Sequence, residues 1–186
     1  MKHRHILPLA LLALLASAPA AVAEESSLFT KGSSALTLGG VYAFPFLASE
    51  EKLSTGTLGY SYYFADAWAI SPQIRGLFAE TQDYDTFGAD FSLLLKWHVY
   101  RGERLSIYVQ AGGGTGYTDK RLPPTDGTRF NFVPQGAVGL TYLLKENLHL
   151  VIACEYLHYS NAGLQGADRH GGVNAIGPMI GLMWTF

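Results

Sequence analysis

The sequence predicts an all-β protein, an eight-stranded antiparallel transmembrane β-barrel that remains after a signal peptide is removed. Charged residues make up only 15% of the chain and aromatic residues 13%, whereas soluble domains carry about 25% charged residues. Beyond the N-terminal segment, no stretch has the 18 or more apolar residues of a transmembrane helix. An exported, aromatic-rich chain without such a helix favours a closed barrel.

The N-terminal segment has the pattern of an export signal. Lys2 and Arg4 precede an apolar run over residues 6–16, and Ala21-Val22-Ala23 fits a small-x-small cleavage site. A membrane anchor is the less favoured alternative, because the run is shorter than the roughly 20 residues of a spanning helix. We therefore predict a signal peptide over residues 1–23 and a barrel domain over residues 24–186.

Alternation of apolar and polar residues predicts the strands and their faces. Apolar residues occupy the even positions of 68–78, the odd positions of 87–99 and most even positions of 130–144. A soluble sandwich also alternates, but here the apolar face is the longer and more aromatic one. This is the inverted pattern of a membrane barrel, in which apolar side chains face lipid and polar ones face inward.

Eight such segments follow one another along the chain. The predicted strands cover residues 35–44, 53–64, 67–81, 86–99, 104–118, 129–144, 147–160 and 174–186. Short connections alternate with generally longer ones, as periplasmic turns alternate with extracellular loops. Aromatic residues cluster near the predicted periplasmic side, as an interfacial girdle should; they are Phe64, Trp68, Trp97, Tyr100, Trp184 and Phe186.

An eight-stranded barrel is too narrow for a water channel, because side chains fill its interior. Five polar residues have the parity of the inner face: Arg75, Asp90, Lys96, Gln135 and Glu155. We interpret them as a paired internal plug rather than a transport path.

Cysteine content and charge restrict the classes of function. Cys154 is the only cysteine, so no intramolecular disulfide can form, and we expect it to pack as a small hydrophobic residue. A net charge of −2 argues against a nucleic-acid partner.

The candidate chemistry lies at the end of the seventh predicted strand. His158 and Ser160 are two residues apart and share the uncharged face, opposite Glu155, that should face lipid. A serine hydroxyl becomes a nucleophile when a histidine takes its proton. Asn161 and the backbone around Gly163 could then donate hydrogen bonds to an oxyanion. Alternatively, the two polar residues lie above the hydrocarbon and simply end the strand.

The segment His158-Tyr-Ser-Asn-Ala-Gly-Leu164, near the end of an exported eight-stranded barrel, resembles the outer-membrane lipid A 3-O-deacylase (PagL) family. The resemblance implies a serine esterase on the outer surface of the barrel, in the bacterial outer membrane. It implies that the ester-linked acyl chain at position 3 of lipid A in lipopolysaccharide is removed. Ser160 would be the nucleophile, His158 the base, and Asn161 and Gly163 the oxyanion hole, with no metal or cofactor.

One position departs from the family pattern. The family's acid is a glutamate shortly after a glycine at the start of the last strand, and Gly172-Val-Asn174 stands there in this chain. Asn174 is uncharged but can accept a hydrogen bond from the imidazole and fix its tautomer. It would stabilise the imidazolium less well, so a lower rate is expected. Asp168 in the preceding loop is an alternative acid.

Other readings stay open at this point. A non-catalytic structural or adhesive outer-membrane barrel fits the composition and strand pattern equally well, and a phospholipid acyl hydrolase could use the same lipid-facing site. Lys120, Arg121 and Arg129 border a long loop and could contact lipid A phosphates, or could simply be solvated. A homodimer is also open, because the sequence does not set the oligomeric state.

Overall fold

The computed structural model describes residues 28–47, 49–164 and 171–186. In these ranges the chain forms nine strands: β1 Ser34–Pro45, β2 Lys52–Ala65, β3 Trp68–Glu80, β4 Thr86–Arg101, β5 Leu105–Leu122, β6 Thr128–Phe132, β7 Gln135–Lys145, β8 Leu148–Ser160 and β9 Gly172–Thr185. Within the same ranges, no helix is long and apolar enough to cross a membrane.

The strands close into an antiparallel ring. β1 pairs with β9, so no edge is left between the first and last strands. β4 pairs with β5 and completes the ring. β6 and β7 both lie between β5 and β8 and share one register, with a break at residues 133–134. Pro134 has no N–H to donate to the ladder, which explains the break. The ring therefore has eight positions, and the predicted eight-stranded barrel is confirmed.

The predicted strand boundaries agree with the structure to within a few residues, with two exceptions. The single strand predicted over residues 129–144 appears as β6 and β7. β5 continues to Leu122, four residues beyond its predicted end, because it keeps pairing with β6 as far as Leu122 and Thr128. The signal peptide predicted over residues 1–23 lies outside the described residues and stays a prediction.

The outer wall is apolar, as the alternation predicted. Leu38, Ile74, Phe91 and Ile180, from four different strands, are each more than half exposed on the outside. Their sequence neighbours on the inner face are buried or partly buried. At the end with the short turns, the rings of Trp68 and Trp97 stack with centroids 5.2 Å apart, as expected for the interfacial girdle.

The interior is a network of charged and amide side chains centred on Arg75. Its guanidinium donates hydrogen bonds to Glu155 Oε1 at 2.5 Å and to Gln135 Oε1 at 2.6 Å, and lies 4.0 Å from Asp90. These residues and Lys96 are all buried. The two cations balance the two carboxylates, so the predicted internal plug is confirmed.

Removing one member of this network should destabilise the barrel strongly. Glu155→Ala leaves the Arg75 guanidinium without its closest carboxylate, and we expect the free energy of unfolding to fall by about 3–5 kcal/mol. Urea unfolding in lipid vesicles measures the change. The double variant Arg75→Met and Glu155→Leu should recover most of the loss, because apolar side chains often replace a buried ion pair at little cost. A single variant as stable as the parent would contradict this account of the interior.

Candidate active site

The predicted site residues meet on the outer wall at the end of the barrel that carries the longer loops. His158 lies opposite Asn174 across the β8–β9 ladder, and Ser160 lies opposite Gly172. His158 and Ser160 are partly exposed on the outer face, whereas Tyr159 between them is buried and donates to Asp90 of the interior. The inner contact of Tyr159 therefore anchors the strand end that presents the two polar side chains to the outside.

Three of these side chains form a continuous chain of hydrogen bonds. Ser160 Oγ lies 2.9 Å from His158 Nε2, and His158 Nδ1 lies 2.8 Å from Asn174 Oδ1. A carboxamide oxygen only accepts, so Nδ1 carries the proton and donates it. The Nε2 atom of the neutral ring is then the acceptor that faces the serine hydroxyl. This is the arrangement of a hydroxyl, a base and a group that orients the base.

Asn174 is held by several contacts. Its N–H donates to Ser49 Oγ at 2.6 Å, and its carbonyl oxygen accepts from the N–H of Phe46 at 2.9 Å. The hydroxyl of Tyr156 donates to the same Oδ1 atom that His158 contacts, at 2.6 Å. The first long loop and β8 together therefore fix both the backbone and the side chain of Asn174.

The turn after Ser160 is braced by Asn161. Its side-chain Oδ1 accepts from the N–H of Gly163 at 2.8 Å, and its carbonyl accepts from the N–H of Leu164 at 3.1 Å. Ala162 and Gly163 have φ angles of 52° and 76°, in the left-handed region that costs a residue with a Cβ. The two predicted oxyanion-hole residues thus adjoin Ser160, with the Gly163 amide bonded to Asn161 in this structure.

Gly172 leaves the space that the histidine ring occupies. A Cβ at this position would lie 2.9 Å from His158 Cε1 and 3.2 Å from Ser160 Cβ. A side chain at position 172 would therefore crowd the imidazole, and glycine leaves the ring room in its present position.

Aromatic side chains border the site on both sides. Phe132 of β6 lies directly opposite Ser160 in the ladder, and its ring meets that of Phe130 edge to face. On the other side, Phe46 packs edge to face against Tyr156, with ring centroids 6.2 Å apart. A polar chain of hydrogen bonds is thus enclosed between apolar surfaces of the outer wall.

Basic residues lie beyond this wall, toward the loops. Lys120 Nζ donates to the carbonyl of Asp85 at 2.9 Å and lies 5.0 Å from the centre of the Tyr84 ring. Arg121 and Arg129 are exposed. Among the described residues, no group of three or more His, Cys, Asp or Glu side chains could hold a metal ion.

The structure brings His158, Ser160 and Asn174 into contact and places Asn161 and Gly163 next to them. The alternative acid, Asp168, lies outside the described residues. The sequence assigns no role to three residues that contact the site, Ser49, Tyr156 and Gly172, although Gly172 is named as the glycine at the start of the last strand. The parity of Tyr156 on β8 and of Gly172 on β9 carried the signal for two of them, whereas the contact of Ser49 depends on the fold of a loop.

Solved structures of bacterial outer-membrane barrels share this fold. Neisserial surface protein A (NspA) superposes with a TM-score of 0.62 at 11% identity, over 83% of this chain and 96% of that one. The outer membrane enzyme PagL gives 0.59 at 12% identity, over 79% and 97%. The N-terminal barrel domain of OprF from Pseudomonas aeruginosa gives 0.57 at 17%, over 84% and 98%. No curated protein matches the sequence significantly.

The closed ring, the apolar wall and these likenesses define the class: the protein has the β-barrel fold of bacterial outer-membrane proteins. The model of the family lipid A 3-O-deacylase (PagL) matches residues 50–183, and the chain belongs to that family. The predicted resemblance and the predicted location are therefore confirmed.

Proposed function

We propose that this protein is a serine esterase that removes the ester-linked acyl chain at position 3 of lipid A. The observation that carries the proposal is the hydrogen-bonded chain of Ser160, His158 and Asn174 on the lipid-facing wall. Polar groups at such a position cost free energy, and those that a membrane protein retains commonly mark a functional site. Membership in a family of lipid A deacylases supports the choice of substrate.

In the first half of the reaction, Ser160 attacks the ester carbonyl while His158 Nε2 takes the hydroxyl proton. The carbonyl π electrons move to oxygen, and Asn161 and the backbone near Gly163 stabilise the resulting oxyanion. Because the Gly163 N–H is bonded to Asn161 Oδ1, its use as a donor requires exchange of that bond for the oxyanion. The sugar oxygen then leaves with the proton from His158, and the acyl group stays on Ser160.

In the second half, water replaces the sugar. His158 takes a proton from the water, which attacks the acyl-enzyme and releases the fatty acid, and Ser160 regains its proton. The proposed steps use only side chains, backbone amides and water, and need no metal or cofactor. Asn174 orients the imidazole but brings no negative charge to the imidazolium, so we expect a slower enzyme than one with a carboxylate at that position.

The aromatic residues beside Ser160 provide an apolar surface for the acyl chain. We expect Phe132→Ala to raise KM by about ten-fold with little change in kcat, because it removes apolar contact made equally by substrate and transition state. Steady-state kinetics with lipid A in mixed micelles measures both constants. Phe91→Ala, which alters another lipid-facing phenylalanine, is the matched control. An unchanged KM would remove Phe132 from the substrate surface.

The lipid A phosphates would lie above the hydrocarbon, at the level of the long loops. Arg121 and Arg129 are exposed there, and Lys120 lies near them. We assign these cations to the phosphates by charge complementarity. A homodimer of the barrel stays a prediction. The proposed mechanism does not require a dimer, because one chain carries all the side chains that it uses.

Mass spectrometry of lipopolysaccharide incubated with the refolded barrel tests the proposed function. We expect loss of one hydroxyacyl group, and fragmentation of the product should assign it to position 3. Loss from another position would overturn the regiochemistry. Intact lipid A with hydrolysed phospholipid would make the protein a phospholipid acyl hydrolase. If both lipids stay intact with a folded barrel, the protein is a non-catalytic structural or adhesive barrel.

A further inference from the structure

The unusual feature of the site is a carboxamide in the place of a carboxylate. A carboxylate presents an acceptor to its neighbour in either orientation, whereas an asparagine presents oxygen in one orientation and an NH2 group in the other. With Oδ1 toward the ring, His158 Nδ1 carries the proton and Nε2 can accept from Ser160. With Nδ2 toward the ring, Nδ1 must accept, Nε2 carries the proton, and the base is lost.

An asparagine at position 174 therefore needs a second contact that selects its orientation. Its backbone contacts to Ser49 and Phe46 fix the main chain but are compatible with both orientations of the carboxamide. Tyr156 supplies a side-chain contact, because its hydroxyl lies 2.6 Å from Asn174 Oδ1. A phenol donates hydrogen bonds better than it accepts them, since its oxygen lone pair is delocalised into the ring. Tyr156 consequently favours the orientation with Oδ1 toward both itself and His158.

The fold brings the hydroxyl of Tyr156 to the Asn174 carboxamide. Tyr156 and His158 are two residues apart on β8 and share its outer face, so both reach across to the same residue of β9. The ring of Tyr156 packs against Phe46 and cannot swing away without losing that contact. On an apolar wall with few competing water molecules, hydrogen bonds of this kind are strengthened.

We propose that Tyr156 is a positioning residue that holds the Asn174 carboxamide with Oδ1 toward His158 and so keeps His158 in the tautomer that can accept the Ser160 proton. The inference rests on the proposed function for its kinetic consequence. Its structural part, the tautomer of His158, stands independently of any substrate.

The kinetic test compares Tyr156→Phe in two backgrounds. Tyr156→Phe keeps the ring and its packing but removes the hydroxyl, and we expect kcat to fall about ten-fold with KM unchanged. In the Asn174→Asp background both carboxylate oxygens accept, so the same substitution should change kcat by less than about two-fold. Equal losses in the two backgrounds, or no loss in the parent, would overturn the proposal. Tyr142→Phe, at a lipid-facing tyrosine of β7, is the matched control and should leave kcat unchanged.

The second test needs no activity. Nitrogen NMR of histidine-labelled barrel in lipid, with the His158 signals assigned by their loss in His158→Gln, reports which ring nitrogen carries the proton. We expect the Nδ1–H tautomer in the parent and a mixture of the two tautomers in Tyr156→Phe. An unchanged tautomer in Tyr156→Phe would overturn the inference even if the enzyme is active. The expected shift in a barrel that cleaves no lipid would leave the inference standing and remove the proposed function.

Discussion

Ser160→Ala is expected to lower the rate of lipid A deacylation by a factor of about 10³ or more, because it removes the hydroxyl oxygen that carries the acyl group in the proposed mechanism. The Oγ atom lies 2.9 Å from His158 Nε2, and both side chains are on the outer face. The loss should appear in kcat, measured by mass spectrometry of lipid A over time. Since Ser160 contributes little to the ladder beyond its backbone, the variant should fold and show the same heat-dependent mobility on gels.

Ser54→Ala is the matched control, because Ser54 lies on the outer face of β2 and has no place in the proposed chemistry. It should retain full activity. Deacylation that persists at more than a tenth of the parent rate in Ser160→Ala would exclude the serine mechanism. It would direct attention to water activated by His158 as the nucleophile.

Gly172→Ala is expected to lower kcat by about 100-fold while leaving the barrel folded, since a displacement of about 1 Å can cost this much. The new Cβ would lie 2.9 Å from His158 Cε1, closer than such atoms approach in folded proteins, so the imidazole must move. The ring then loses its alignment with Ser160, with Asn174 or with both. Measurement of kcat should be paired with labelling of Ser160 by a fluorophosphonate, which reports serine activation without lipid A.

Gly56→Ala provides the control for adding a methyl group to the outer wall. A Cβ at Gly56 would meet no atom within 4 Å, so activity and labelling should be unchanged. If Gly172→Ala labels and turns over within two-fold of the parent, the imidazole has room to move without loss of function. The close contact would then have no catalytic meaning.

The position of the site follows from the way that the barrel separates its two faces. Arg75 forms buried ion pairs with Asp90 and Glu155 inside the barrel. Because Glu155 faces the interior, His158 and Ser160 lie on the opposite, outer face of β8. A water-filled barrel can hold an active site in its lumen, whereas a barrel whose interior is filled by side chains can hold one only on its wall or in its loops. A lipid substrate that reaches the site from the side requires no passage through the protein.

Much of this arrangement could be predicted because the face of a strand residue depends only on parity. The alternation alone assigns Arg75 and Glu155 to the interior, and His158 and Ser160 to the wall. The alternation does not predict the end of β5, because the strand continues through the polar residues Asp119, Lys120 and Arg121 while it pairs with β6. The alternation also does not predict the break at Pro134, because one proline interrupts a ladder without changing the alternation on either side.

The sequence by itself determined the architecture, the face of each strand and the local pair of His158 and Ser160, because these depend on spacing along one strand. Only the tertiary structure decided that Asn174 contacts the imidazole, that Tyr156 shares its oxygen and that Gly172 makes room for the ring. Those contacts depend on the register between β8 and β9. That register reflects the hydrogen bonds of the whole closed ring, and the alternation within a single strand does not set it.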